Sequence, residues 1–362
     1  MMERAFMKGN EVIAEAAIRA GVKFFAGYPI TPQNEIPEYM SWRLREVGGT
    51  FVQGESEVAS INMVYGASAC GNRAMTTTSG PGISLMSEGI SYLAGAGLPA
   101  LIVNVGRGGP GLGSIEPAQS DYLQACKATG HGGFHLMVFA PDSLQETVNI
   151  IYNAFDYAER DRQPVFLLMD GVLGSMMEMV ELPPMKEFNK EGSEAWRLGN
   201  DVPGKHGARI VTSIYPEAGL ETKNMAAGEM WKRWQEEDVQ VETIGLEDAE
   251  YVLVAYGIAA RICKEAMQRL REKGYRVGLV RPVTLVPFPE KVLEALNYDQ
   301  VKAVIDVEMT IPPQMHQDLE RITKGRCPIR SYGRSGGIVM DDDTTVEALE
   351  AIIREVEDGK TV

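Results

Sequence analysis

The stretch that decides the fold is Gly54-Glu55-Ser56-Glu57-Val58-Ala59-Ser60-Ile61-Asn62-Met63-Val64-Tyr65-Gly66. After Glu57 no charged residue occurs until Arg73, and small residues are mixed with aliphatic ones. This pattern predicts a helix that is buried on most sides. Ser56 is a good N-cap, which places the Glu57 carboxylate in the first turn, where the helix dipole favours it. Such a carboxylate can be an ordinary first-turn acid or can meet a buried ligand, and the pattern alone leaves both interpretations open.

Length and composition predict a soluble protein of about two domains. The 362 residues are 44% hydrophobic and 23% charged, which is the balance of a globular protein. Lys and Arg number 35 and Asp and Glu 50, so the net charge is −15, which disfavours non-specific binding to nucleic acid. A polyanionic ligand would therefore need a local basic site or a partner chain to hold it.

The cysteines and histidines show no metal-ligand spacing. The four cysteines are far apart, so iron–sulfur clusters and structural zinc are not expected on this chain: Cys70, Cys126, Cys263 and Cys327. The four histidines show neither ligand nor triad spacing: His131, His135, His206 and His316. Residues 1–10 have no apolar signal core, and the uncharged run 89–106 is split by Pro99. We therefore expect no metal site, no membrane span and a cytoplasmic location.

Strand and helix patterns alternate through residues 1–185, which predicts a parallel sheet with helices on both faces. Within this part Thr31 is expected to cap a helix that begins at Pro32, and another helix is expected at 118–129. Residues 186–245 are charged and weakly periodic, so we predict a crossing segment with one helix near 223–236. The alternation resumes in 246–362 and predicts a second, smaller α/β domain.

Four loops of the first domain follow strand ends, where open parallel sheets bind ligands. They are residues 28–32, 54–57, 79–82 and 106–114. Arg107 is the only cation of the last loop, and a guanidinium can bind a carboxylate through two hydrogen bonds, although a solvated loop arginine is the alternative. The same loop matches G-x-G-x-x-G, but Pro110 and the additional glycines disfavour the helix start that a dinucleotide site needs.

Four motifs in order resemble the α subunit of the 2-oxoacid:ferredoxin oxidoreductases. They are Gly27-Tyr28-Pro29-Ile30-Thr31-Pro32, Glu55-Ser56-Glu57, Thr76-Thr77-Thr78-Ser79-Gly80-Pro81-Gly82 and residues 104–114. The resemblance covers nearly the whole chain, and Tyr-Pro-Ile-Thr-Pro is its most specific element. In length and wording the chain is most similar to the 2-oxoisovalerate (branched-chain) type, with the 2-oxoglutarate or pyruvate type as the alternative. A nicotinamide-dependent dehydrogenase and a non-catalytic assembly subunit are more remote alternatives.

The resemblance implies a fold, a reaction and a set of site residues. Residues 1–185 would be the pyrimidine-binding domain of a thiamine diphosphate enzyme, and 246–362 a transketolase C-terminal-like domain. Glu57 would meet the N1′ nitrogen of the aminopyrimidine, Thr31 would lie near the reacting 2-oxoacid, and Arg107 would hold its carboxylate, although the loop spacing after Arg107 differs from the family's. Further cofactor contacts would come from Tyr28, Pro29, Ile30, Ser79, Gly80, Pro81 and Gly82. The implied reaction is the oxidative decarboxylation of branched-chain 2-oxoacids to acyl-coenzyme A and carbon dioxide.

The family's motif for magnesium and the cofactor diphosphate, Gly-Asp-Gly with a downstream Asn, is missing from this chain. Asp170-Gly171 lacks the leading glycine. By the resemblance, a β subunit would carry the diphosphate and Mg²⁺, and γ and ferredoxin-like δ subunits would complete the complex. The [4Fe-4S] clusters would lie on partner subunits, ferredoxin would accept the electrons, and coenzyme A would be a substrate.

We therefore predict that the isolated chain binds neither iron nor thiamine diphosphate tightly. The reason is that its thiols are scattered and its sequence has no magnesium motif. Visible absorption and titration calorimetry on the purified chain measure both. A stoichiometric iron–sulfur spectrum from this chain alone would contradict the prediction.

Overall fold

The computed structural model describes residues 3–188, 190–194, 196–199 and 211–359. Within these residues a seven-stranded and a five-stranded sheet are packed with helices, which confirms the predicted α/β class. Part of the predicted crossing segment, residues 200–210 with His206, lies outside the described residues. No helix in the described ranges is both long and apolar enough to cross a bilayer.

The elements alternate strongly between strand and helix in both halves of the chain. In the first half they are β1 (Glu3–Lys8), α1 (Gly9–Arg19), β2 (Phe24–Gly27), α2 (Glu35–Glu46), β3 (Thr50–Gln53), α3 (Glu57–Ala69), β4 (Ala74–Thr78), α4 (Gly80–Ala96), β5 (Leu101–Gly106), α5 (Tyr122–Lys127), β6 (Met137–Phe139), α6 (Leu144–Asp161), β7 (Val165–Asp170), α7 (Gly171–Ser175) and β8 (Met177–Leu182). In the second half they are α8 (Glu217–Glu237), β9 (Val241–Ile244), β10 (Tyr251–Ala255), α9 (Gly257–Glu272), β11 (Val277–Pro282), β12 (Thr284–Val286), α10 (Glu290–Glu294), β13 (Ala303–Glu308), α11 (His316–Thr323), β14 (Ile329–Gly333) and α12 (Asp342–Glu357).

The larger sheet has the strand order β12-β6-β7-β5-β4-β2-β3 and is parallel except for β12. The smaller sheet has the order β14-β13-β10-β11-β9, with β9 antiparallel. β1 and β8 form a separate antiparallel ribbon. Because β12 leaves the second half to pair with β6, the two halves are joined by backbone hydrogen bonds as well as by packing.

Both faces of the larger sheet are covered by helices. Successive residues of β5 illustrate this, since Leu101 and Val103 belong to one buried cluster and Ile102 to the other. The first cluster includes α1 and α6, and the second includes α3 and α4. A strand that is buried on both faces has no polar alternation, in agreement with the continuous apolar runs of the sequence.

Several local predictions are wrong. α2 begins at Glu35 instead of Pro32, because Gln33 accepts a hydrogen bond from Thr77 Oγ1 (2.5 Å) and donates to Tyr28 O (3.2 Å), which holds the preceding turn out of the helix. The helix expected at 118–129 is shorter, Tyr122–Lys127. In the crossing segment the predicted helix is present as α8, but the strand β9 was not predicted.

One buried carboxylate, Asp170, caps two helices that belong to different halves. Its Oδ1 accepts from Val172 N (3.1 Å) and Leu173 N (3.0 Å) of α7, and its Oδ2 accepts from Ile258 N (2.9 Å) of α9. Burial raises the pKa of Asp170, and the three backbone N–H donors act against that rise. Gly257 has a φ of 56°, and a Cβ there would lie 2.8 Å from Asp170 Oδ2, so the contact requires glycine.

We predict that Asp170→Ala lowers the free energy of unfolding by about 2–4 kcal/mol, because three buried N–H groups lose their acceptor. Urea denaturation followed by circular dichroism measures the loss. Ser143→Ala is the matched control, because Ser143 caps a single helix and its loss should cost about 1 kcal/mol. Equal losses in the two variants would show that the contact to α9 contributes nothing.

Candidate functional site

The loops that carry the predicted site residues lie at one edge of the larger sheet. They follow β2, β3, β4 and β5, which are neighbours in the order β5-β4-β2-β3 and run parallel. Parallel neighbours end at the same edge, so the loops converge as the strand pattern predicted. The contacts between the loops show which side chains meet.

Glu57 opens α3 and is held in a narrow space. Ser56 Oγ accepts from Ala59 N (3.2 Å), which confirms Ser56 as the N-cap. Glu57 is only 5% exposed, and its carboxylate has no hydrogen-bond donor among the described residues. A Cβ at Gly82 would lie 2.7 Å from Glu57 Oε1 and 1.9 Å from Thr78 Oγ1, so the neighbouring position must be glycine. The result is a buried carboxylate with free acceptor capacity.

The rest of α3 is less buried than the sequence predicted. Val58 is 47% exposed, and Asn62 and Gly66, each four residues further on, are also exposed. The expectation of a helix buried on most sides is therefore wrong for this face. An uncharged face of small and apolar residues was indistinguishable from a core-facing one in the sequence.

Arg107 and Thr31 are brought together. Arg107 Nη1 donates to Thr31 O (3.0 Å), and the arginine is 7% exposed. Its Nε has no acceptor in the described part of the chain. The backbone of Arg107 forms a β-bridge with Pro117, and its carbonyl accepts from Ser120 Oγ (2.8 Å). The guanidinium is therefore fixed in place with donor capacity left over.

Asp121 belongs to the same edge and was missed in the sequence. Asn104 Nδ2 donates to Asp121 Oδ2 (2.9 Å), and a Cβ at Gly80 would lie 2.9 Å from the same oxygen. Burial raises the pKa of Asp121, and Asn104, Ser120 and the charge of Arg107 act against that rise. No sequence pattern indicates that Asp121 belongs to the site. It lies there because the segment after the glycine loop folds back to the end of β5.

The remaining residues predicted to touch a cofactor surround this arrangement. Ser79, Gly80, Pro81 and Gly82 form the start of α4, with Glu57 beside Gly82 and Asp121 beside Gly80. Tyr28 and Pro29 are exposed and Ile30 is half-buried, on the loop that leads to Thr31. A cavity of about 490 Å³ lies elsewhere, between the end of α4 and α8, and none of the predicted site residues lines it.

Comparison with family sequences matches both halves of the chain. Residues 15–240 match the family described as pyruvate flavodoxin/ferredoxin oxidoreductase, thiamine diphosphate-binding. Residues 249–344 match pyruvate:ferredoxin oxidoreductase core domain II. The first match covers more than half of the chain and includes all the loops described above.

Individual relatives agree. The chain is 42% identical to ketoisovalerate oxidoreductase subunit VorB of Methanothermobacter thermautotrophicus, over 97% of this chain and 98% of the relative. It is 37% identical to 2-oxoglutarate synthase subunit KorA of Methanocaldococcus jannaschii, over 93% of this chain and 96% of the relative.

Solved structures share the fold. The 2-oxoglutarate:ferredoxin oxidoreductase from Magnetococcus marinus, with 2-oxoglutarate, coenzyme A and succinyl-CoA bound, gives a TM-score of 0.82 at 28% identity. The match covers 97% of this chain and 65% of that chain, so this chain corresponds to part of the solved one. A split-gene transketolase, at a TM-score of 0.58 and 14% identity, shares the fold alone. The predicted resemblance is thus confirmed: the chain belongs to the family of ferredoxin-dependent 2-oxoacid oxidoreductases, as a subunit that carries the family's thiamine diphosphate-binding domain.

Proposed function

We propose that this chain is the α subunit of an enzyme that oxidatively decarboxylates branched-chain 2-oxoacids to acyl-coenzyme A and carbon dioxide, with ferredoxin as electron acceptor. The observation that carries the proposal is the buried Glu57 carboxylate, which has free acceptor capacity beside Gly82. Gly82 leaves room for the side chains of Glu57 and Thr78, and an aminopyrimidine suits the carboxylate because a proton on its N1′ nitrogen can be donated to it.

Each residue of the site then has a distinct task. Bound thiamine diphosphate supplies the nucleophilic carbon and the electron sink for decarboxylation. Glu57 holds a proton between its carboxylate and N1′, and its low exposure strengthens this charge-assisted hydrogen bond because little water competes. Arg107 binds the 1-carboxylate of the 2-oxoacid with its remaining donors, and the Thr31 carbonyl fixes the direction of the guanidinium.

A partner chain is required to complete the site. The relatives are named as subunits, and exposed apolar side chains surround the site edge on this chain: Val58, Leu85, Leu112 and Ile115. Exposed apolar groups of this kind favour an interface with another chain. Within the proposal, a β subunit holds the diphosphate and Mg²⁺, and γ and δ subunits complete the complex, with the [4Fe-4S] clusters on partner subunits.

The loop after Arg107 favours a branched aliphatic substrate over a dicarboxylate. Leu112 and Ile115 lie on it, and Glu116 follows, with its carbonyl accepting from Gly108 N (3.0 Å). Lys127, the next cation along the chain, is paired with Asp318 (2.8 Å). A second carboxylate would meet the negative charge of Glu116 and find no free cation on this segment. Its desolvation would be uncompensated once a partner chain covers this exposed loop. The 42% identity to a ketoisovalerate oxidoreductase subunit supports the same choice.

We predict that Glu57→Gln in the assembled enzyme leaves cofactor binding measurable but lowers decarboxylation and exchange of the thiazolium C2 proton by about two orders of magnitude or more, because the acid–base partner is lost. Calorimetry measures binding and proton NMR measures the exchange. Glu55→Gln is the matched control, because Glu55 lies in the same loop but is exposed. Activity of the Glu57 variant within a few-fold of wild type would remove its assigned role.

We also predict a higher kcat/KM for 2-oxoisovalerate than for 2-oxoglutarate in one preparation of the complex. An apolar wall contributes about 0.8 kcal/mol for each methylene that it buries, whereas a dicarboxylate needs a second cation. Steady-state kinetics with both substrates decides the question. A tenfold preference for 2-oxoglutarate, about 1.4 kcal/mol at the transition state, would refute the branched-chain assignment and leave the thiamine half-site intact.

A further inference from the structure

A partly buried hydrogen-bond network links the second half of the chain to the backbone beside Arg107. Gln314 Nε2 donates to Ser120 O (2.7 Å), and Gln314 Oε1 accepts from Leu123 N (2.9 Å). Ser120 Oγ in turn donates to Arg107 O (2.8 Å), and Asp121 lies between the two anchored positions. One side chain of the second half therefore fixes both ends of the segment that carries Asp121. We call this arrangement of Gln314 with Ser120 and Leu123 the Gln314 clamp.

The backbone of Gln314 is held by one carboxylate. Glu308 Oε1 accepts from Gln314 N (2.7 Å) and from Met315 N (2.8 Å). Glu308 is fully buried at the end of β13, and Asp306, two residues earlier on the same strand, is also fully buried, so that the charge of each carboxyl group acts on the other. Neither Asp306 oxygen nor Glu308 Oε2 has a hydrogen-bond partner among the described residues. Two carboxyl groups in contact can form a hydrogen bond only when one of them carries a proton.

We propose that Glu308 is a positioning residue for the candidate site: by holding Gln314 it fixes the 120–123 backbone and thereby places Asp121 beside Arg107 and Gly80. This role rests on the proposed function, in which Arg107 binds the substrate. Glu308 is suited to this role because it accepts both backbone N–H groups, whereas an apolar residue in its place would leave both donors unpaired.

The surroundings of the pair make the clamp sensitive to pH. Burial raises the pKa of Glu308 to about 7, against the effects of Asp306 and of the hydrogen bonds from Met315 and Gln314. Burial and the neighbouring Glu308 raise the pKa of Asp306 well above its ordinary range. His316 Nδ1 lies 4.0 Å from Asp306 Oδ2 and 3.0 Å from Ser331 Oγ. The other titratable groups that face the pair are Tyr122, Cys126, Tyr256 and Cys263.

The sign of the pH effect follows from proton linkage. Opening of the Gln314 clamp returns Glu308 to water, where its pKa is near the ordinary value of 4.5. Opening therefore releases a proton at any pH between that value and about 7. The closed clamp is favoured at the acid end of this window. The equilibrium constant for opening increases as the pH rises to about 7 and does not change above it.

Amide hydrogen exchange of the full chain, read at Leu123 and Gln314 and corrected for intrinsic exchange, measures this opening, because these two amides donate within the clamp and to Glu308. In wild type we expect the opening constant to increase about tenfold or more from about pH 5 to about pH 7.5. Glu308→Gln keeps an acceptor for both N–H groups but cannot titrate, so its opening constant should change by no more than about twofold over the same range. Glu290→Gln, which removes a surface ion pair with Arg321 in the same half, is the control and should follow wild type. A Glu308→Gln profile equal to that of wild type, or a flat wild-type profile, would overturn the role of Glu308.

Gln314→Leu gives a second test that leaves the carboxyl pair intact. It should abolish the protection of Leu123 at every pH, and in the assembled enzyme it should raise KM for the 2-oxoacid by about tenfold, a factor equal to about 1.4 kcal/mol, with a smaller change in kcat. An unchanged KM together with lost protection would overturn the positioning role. If the wild-type complex has no 2-oxoacid activity, the proposed function fails, whereas the exchange profiles still decide whether the clamp depends on Glu308.

Discussion

The contact on which the rest of the arrangement depends is made by Gln119, which uses its backbone and its side chain to join the two halves. Its backbone N–H donates to Met309 O (3.0 Å), and its Oε1 accepts from Met309 N (2.9 Å). Its Nε2 donates to Tyr256 O (2.8 Å), and its carbonyl accepts from Tyr256 OH (3.2 Å). These buried hydrogen bonds form only when both halves are in place. In either half alone, the donors and acceptors of that half would lack their partners. This contact therefore helps to fix the position of the segment 120–123, which follows Gln119 and carries Asp121.

Several buried polar atoms without hydrogen-bond partners lie at the edge of the larger sheet that carries the candidate site. Ser79 Oγ, Asn104 Oδ1 and Arg107 Nε are buried without hydrogen-bond partners among the described residues, and the Glu57 side chain nearby is 5% exposed. Folded proteins satisfy most buried polar groups, so the unpaired ones at this edge are available to a molecule that binds there. Unpaired buried atoms also occur elsewhere, as at Asp306, whereas both carboxylate oxygens of Asp170 are paired with backbone N–H groups.

The parts of this protein that depend on local sequence patterns were predicted. The parts that depend on contacts between residues distant in sequence were missed. Ser56 and the start of α3 were predicted because a cap and an apolar run are adjacent in sequence. The helix expected at Pro32 fails because a side chain of β4, Thr77, holds Gln33 in the preceding turn. β12 could not be assigned to the larger sheet, because it pairs with β6 from the opposite half. Asp121 is part of the site for the same reason, since its partners Asn104 and Gly80 are distant in sequence.

The charges at the two helix starts of this edge support the proposal that the chain forms one part of a shared site. A helix N-terminus ordinarily attracts phosphate, but here Glu57 occupies the start of α3 and Asp121 lies against the start of α4. The glycine loop after β5 does not lead directly into a helix. It turns back at the β-bridge between Arg107 and Pro117, and no helix in the described residues begins before Tyr122. A dinucleotide or a diphosphate placed at these helix starts would meet carboxylates in a protein whose net charge is −15. The same carboxylates suit a nitrogen heterocycle that donates a proton. In the proposed function this edge would therefore receive the pyrimidine end of thiamine diphosphate, and another chain would balance the charge of its diphosphate.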